Sequence, residues 1–149
     1  TKPATGIRRG MVVDCSGNIV DVGAAGSFRG VLGVAIPPVG AMEFAQNDKL
    51  YTSKNGSLVW VQESGTSLSN YVDPATGNPT GNHAPAGVRV YLSDQNDGKI
   101  TPLSPVGAGD RVVQFGYVVG SAEITLTMGG TPTKLIKVMQ MIQDEGEIF

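Results

Sequence analysis

The chain is poor in the residues that carry most protein chemistry: its 149 residues include one cysteine and one histidine. The lone Cys15 excludes an intramolecular disulfide, and we expect it to be a small apolar filler at a strand end. His83 has no second histidine with which to bind zinc or to build a Ser-His-Asp triad. We therefore expect no catalytic site, no metal site and no cofactor.

Charge is also scarce, at 16% of residues with a net charge of −2, against roughly 25% charged residues in a typical domain. The balance leaves no basic footprint for nucleic acid. No apolar run approaches the ~18 residues of a membrane span, and no signal peptide is visible. We expect neither nucleic acid nor membrane as a partner, and assembly inside a cell.

Glycine and proline are abundant instead, with 21 and 9 copies, which favours short strands joined by tight turns. Residues 11–22, 50–61 and 90–101 each place a small polar turn containing glycine between two apolar runs. This pattern predicts three β-hairpins. The runs 111–119 and 122–128 predict further strands, with a bulge at Gly116. The run 133–142 fits a helix or a strand, and its β-branched residues favour the strand.

The organisation predicted from these elements is an all-β protein with one domain at 11–142. Residues 1–10 form an N-terminal arm, which is either a frayed tail or a segment that orders on a neighbouring subunit. Residues 64–87 form a long irregular loop, and residues 143–149 form an acidic C-terminal tail. Loops of this length without regular structure are usually functional or disordered.

Two short motifs imitate ligand sites and are better explained by turns and strands. The turn at 94–100 resembles a calcium loop, but Gly98 comes fifth and Pro105 twelfth, so a hairpin turn is expected. The spacing of Gly26, Gly30 and Gly33 is not the dinucleotide fingerprint. The only tryptophan, Trp60, is expected to anchor the core or a subunit interface.

Two stretches, covering about half of the chain, resemble capsid decoration (cement) proteins of tailed bacteriophages. They are VYLS…DGKIT…GDRVVQFGYVV at 90–119 and GMVV…GNIV…GVLGVA at 10–35. The resemblance implies a small β-barrel or β-tulip on the outer surface of the capsid, assembled in the host cytoplasm. It also implies that the partner is the phage major capsid protein and that the protein forms trimers there.

On this resemblance we expect partner contacts at the arm, the long loop and the C-terminus. The residues chosen are Arg8, Arg9, Tyr71, His83, Ile148 and Phe149. The alternative is a head-fibre or tail-fibre module that binds host-surface glycan by stacking on Trp60, Tyr51, Tyr71 or Tyr91. An enzyme acting through the carboxylate pair Glu43 and Asp48, or Asp94 and Asp97, is a weaker alternative.

Overall fold

A computed structural model describes residues 6–23 and 28–148, and in this part the chain forms strands and turns without a helix. It therefore contains no helix that could cross a membrane. The all-β prediction is confirmed. The strands are β1 (Val12–Val13), β2 (Gly33–Val34), β3 (Leu58–Gln62), β4 (Arg89–Leu92), β5 (Ile100–Thr101), β6 (Arg111–Met128) and β7 (Thr131–Glu147).

The strands make two antiparallel sheets. One pairs β1 with β2, and the other has the order β3-β7-β6-β4-β5. Strand alternation sends one set of side chains into the core, and the largest buried members include Phe115, Leu92 and Ile136. A smaller cluster formed by Ile7, Val13, Ala35 and Phe44 joins the N-terminal segment to the small sheet.

A long hairpin, β6–β7, forms the centre of the large sheet. The alternating sequence predicted two strands here, at 111–119 and 122–128, and residues 111–128 form one continuous strand. Gly129 and Gly130 make the turn with φ values of 56° and 81°, a backbone region that favours glycine. The predicted bulge is confirmed, because the register with β7 shifts between Gln114 and Gly116.

A closed barrel is not found in the described residues. The two edges of the large sheet meet only at an isolated parallel bridge between Glu63 and Ile100. The third predicted hairpin is confirmed, since β4 pairs with β5. The second predicted hairpin is wrong: β3 pairs with β7, while Thr52 of the expected first strand bridges Ala35.

The described part of the N-terminal arm is built into the fold rather than extending from it. Ile7 is fully buried, and the backbone N–H of Arg9 donates to the Met42 carbonyl at 2.8 Å. The predicted C-terminal tail is also corrected, because β7 continues to Glu147. Cys15 is exposed, so it does not fill the core as expected.

The loop at 64–87 lacks regular strands, as predicted, but it is anchored to the sheet. The buried Glu63 carboxylate accepts hydrogen bonds from the Ser69 N–H at 3.1 Å and the Ser69 hydroxyl at 2.9 Å. Leu68 is fully buried in the main core. Backbone hydrogen bonds within the loop, such as that from the Tyr71 N–H to the Asn82 carbonyl at 2.8 Å, satisfy further polar groups without a regular ladder.

Candidate docking surface

A row of four side chains crosses the large sheet on the face opposite the main core. Leu58 pairs with Met139, Met139 with Tyr117, and Tyr117 with Arg89. The adjacent row, Val90, Gly116 and Gln140, is buried, so alternation turns the first row outward. Leu58 is 52% exposed, and Tyr117 and Met139 are half-buried. We call Leu58, Met139, Tyr117 and Arg89 the outer row.

Beside the outer row, positive charge lies next to an aromatic ring. Trp60 on β3 pairs with Lys137 on β7, and the Lys137 ammonium lies 5.7 Å from the centroid of the Trp60 ring. Arg89 at the end of the row is exposed. None of the ion pairs made by the described residues uses Lys137 or Arg89. The outer face therefore combines apolar area with cations that lack a carboxylate partner in the described chain.

An apolar groove of about 480 Å³ borders the same edge of the sheet. One side is β3, and the other is the segment 34–42, whose Val39 is fully exposed. Ile124, Leu126 and Leu135, on one face of the β6–β7 hairpin, also line it. The volume falls within the roughly 300–1,000 Å³ range of ligand-binding pockets.

Arg9, a residue predicted from the sequence as a partner contact, lines the groove. Its guanidinium donates to the carbonyls of Pro37 at 2.8 Å, Pro38 at 3.1 Å and Ala41 at 3.1 Å. These hydrogen bonds hold the segment 34–42 against the N-terminal segment. Arg9 thus shapes the groove wall instead of extending as a free contact residue.

The other predicted contact residues are scattered. Arg8 packs its guanidinium against Gly129 in the hairpin turn. His83 lies 3.5 Å from the Glu123 carboxylate on β6. The backbone N–H of Ile148 donates to Asp110 at 2.8 Å, at the end of β7 away from the hairpin turn. Phe149 lies outside the described residues.

Tyr71 is half-buried against the main core. Burial, followed by the nearby Asp73 carboxylate, raises the pKa of its phenol. Tyr51, Tyr71 and Tyr91 do not line the groove beside Trp60. The predicted aromatic residues for glycan stacking are therefore not brought together there.

Carboxylates cluster at the turns that follow β4 and precede β6. Burial, the Asp21 charge and a hydrogen bond shared with Asp21 raise the pKa of Asp97. A hydrogen bond shared with Asp94, with smaller contributions from burial and charge, raises the pKa of Asp110. Within residues 6–23 and 28–148, no group of three or more acidic, histidine or cysteine side chains is arranged to hold a metal ion.

The residues that sequence reasoning missed are those that form the groove and the outer row. Ile124 and Leu126 had a visible signal, because AEITLTM alternates and places them on one face with Met128. Val39 follows two prolines and carried no such pattern. The outer row depends on pairing between distant strands, and no local motif encodes it.

Comparison with known proteins identifies no relative. No protein-family model, curated protein or solved structure matches this chain.

Proposed function

We propose that this protein is a non-catalytic structural protein that binds the outer surface of a bacteriophage capsid and stabilises contacts between major capsid protein subunits. The resemblance of 10–35 and 90–119 to decoration proteins suggests the class. The observation that carries the proposal is the outer row, an apolar strip on an exposed sheet face. Apolar area of this kind, edged by polar groups, is typical of protein interaction sites.

The composition of the outer face fits a protein surface better than a sugar. Tyrosine, tryptophan, methionine and arginine are the residues enriched at interfaces, and Tyr117, Trp60, Met139 and Arg89 occupy this face. Lys137 and Arg89, which make no ion pair within the described part of the chain, favour an acidic patch on the capsid protein. Complementary charge of this kind sets orientation and association rate more than affinity.

A shell repeats its binding sites, so a modest contact area on each molecule is sufficient. Weak contacts become strong when several are made at once by linked copies, which is how the proposed trimer adds to binding. The β-barrel is also part of the proposal. It is supported by the Glu63–Ile100 bridge, which brings the two edges of the large sheet together.

Co-sedimentation with empty heads, assembled from the major capsid protein encoded in the same genome, tests the proposal. We expect the wild-type protein to pellet with heads at a fixed number of copies per capsid subunit. Leu58→Glu places a charge in the outer row and should weaken binding at least about tenfold, a loss of roughly 1.4 kcal/mol. Val106→Glu is the matched control, since Val106 is 87% exposed in the turn before β6.

Two negative results would have different meanings. Absence of the wild-type protein from the head pellet contradicts the proposed function. Binding that Leu58→Glu and Val106→Glu weaken equally contradicts the outer row as the contact site.

A further inference from the structure

The edge of β3 is open where it borders the groove. The backbone N–H of Gln140 donates to the Ser57 carbonyl. The odd-numbered residues of β3, two and four positions further on, therefore direct their backbone N–H and C=O groups toward β7. In an antiparallel pair the intervening residues direct their N–H and C=O groups away from the partner strand. Leu58 and Trp60 therefore direct these groups outward, and no hydrogen bond between the described backbone segments engages them there.

Two observations show that this edge can accept a strand. The outward N–H of Gln62, the next residue of the same set, donates to the Gly10 carbonyl at 2.9 Å. Part of the chain itself thus already pairs with one end of the edge. Leu58, Val59 and Trp60 all line the groove although their side chains alternate between faces, so the backbone of β3 borders the cavity.

We propose that the groove binds an extended peptide segment of a partner protein, which adds to β3 as a new edge strand. Its backbone bonds the N–H and C=O groups of Leu58 and Trp60. Its alternate side chains are apolar and pack on Ile36, Val39 and Leu126. Strand addition to an exposed sheet edge is a recurring mode of peptide recognition.

The charge beside the groove and the size of the groove favour an extended acidic peptide over a second copy of the protein. Lys137 beside Trp60 has no carboxylate partner among the described residues, so the segment carries an acidic residue next to its apolar ones. A groove of about 480 Å³ closed on its far side by 34–42 admits a single extended chain. A second copy would have to bring two paired strands, its β3 with β7 about 5 Å beside it, into the same space, so a single extended segment is the proposed occupant.

This inference deepens the proposed function, and its test does not depend on a capsid. A displayed library of random twelve-residue peptides is selected against the wild-type protein. Enriched sequences should alternate apolar residues and include Asp or Glu. On binding such a peptide, the amides of Leu58 and Trp60 should exchange hydrogen more slowly, while Val59 and Val61 change little.

Leu58→Pro and Leu58→Thr form a matched pair of variants. Both remove the leucine side chain, but only proline removes the outward N–H, and proline is tolerated at the first residue of an edge strand. We expect Leu58→Pro to weaken peptide binding about tenfold relative to Leu58→Thr, the effect of one lost hydrogen bond. Unchanged circular dichroism and melting temperature show that both variants fold.

Several results overturn the inference. They are a failure to enrich any peptide, equal binding by both variants, or unchanged exchange at Leu58 and Trp60 in the peptide complex. A dimer of the free protein that Leu58→Pro converts to monomer assigns the edge to a second copy instead. Peptide binding without binding to heads supports strand addition and contradicts the capsid function. If Leu58→Pro and Leu58→Thr bind heads equally well, the result supports the capsid function but not strand addition.

Discussion

Trp60 on β3 and Lys137 on β7 are paired side by side on one face of the sheet, with the ammonium 5.7 Å from the centroid of the indole ring. The pair lies where the outer row meets the groove, so it belongs to both proposed contact surfaces. A cation–π contact at a partly exposed site contributes roughly 0.5–1 kcal/mol. The pair therefore adds little to folding, and we assign its main role to partner binding.

Lys137→Met tests this assignment. Methionine keeps an unbranched apolar chain but removes the charge, so the free energy of unfolding should change by less than about 1 kcal/mol. Binding to heads should weaken and become less dependent on salt, because charge steers association. Titration of head binding at low and high ionic strength measures this. An unchanged salt dependence contradicts the role of Lys137, and Lys99→Met on the β4–β5 turn is the control.

Gly116→Ala should destabilise the fold severely. A β-carbon at Gly116 would overlap the Met139 carbonyl oxygen, and backbone atoms of a central ladder cannot move aside. Overpacking costs typically 1–3 kcal/mol and sometimes more, and we expect about 3 kcal/mol here. Urea unfolding measures it. Gly23→Ala is the control, because its nearest contact is an ordinary 3.4 Å, and equal effects of the two variants contradict the described packing.

Ile7→Ala distinguishes an integrated N-terminal segment from a free arm. Ile7 is fully buried beside Val13, Ala35 and Phe44, so truncation leaves a cavity and should cost about 2–5 kcal/mol. Chemical unfolding of the variant measures the loss. Val39→Ala is the control, because Val39 is fully exposed and its truncation should be nearly neutral. A change of less than about 0.5 kcal/mol for Ile7→Ala, a typical surface effect, contradicts the burial.

Asp97→Asn should raise the melting temperature at pH 7. Burial and the Asp21 carboxylate raise the pKa of Asp97 in the folded state, so ionised Asp97 destabilises the fold. Because its pKa is raised, the folded protein binds this proton more tightly than the unfolded chain does, so protonation of Asp97 stabilises the fold. The contribution of Asp97 to the free energy of unfolding of the wild type should thus increase as the pH falls through the raised pKa towards the unfolded value of 3.8.

The advantage of Asp97→Asn should accordingly shrink below pH 4, and salt should reduce it at pH 7, because exposed charges are screened. Melting curves between pH 3 and 7 measure both trends. A variant less stable than the wild type at pH 7 would show that the carboxylate has a favourable partner and would refute the cluster repulsion.

The sequence predicted the elements whose signal is local. The alternation of AEITLTM and the paired glycines Gly129 and Gly130 encode the β6–β7 hairpin without reference to distant residues. The second predicted hairpin failed because β3 pairs instead with β7, where it lies beside the fully buried Ile136 and Val138. Tertiary pairing of this kind overrides local turn signals.

The docking surface could be predicted only in part. Trp60 was expected to anchor the core or a subunit interface, and it lines the groove, whereas the outer row requires the register of four strands. The N-terminal segment was misassigned because a single apolar residue, Ile7, shows no periodicity, although it is buried completely. The C-terminal residues were read as a tail from their charge, but Asp144 binds Arg111 at 2.7 Å across the hairpin and stays in the ladder.

The central claim, capsid stabilisation through the outer row, is tested most directly by heating empty heads with and without the saturating protein. The account predicts a higher temperature of head disruption with the wild-type protein, and no increase with Leu58→Glu at the same concentration. An unchanged disruption temperature on heads fully occupied by the wild-type protein would contradict it.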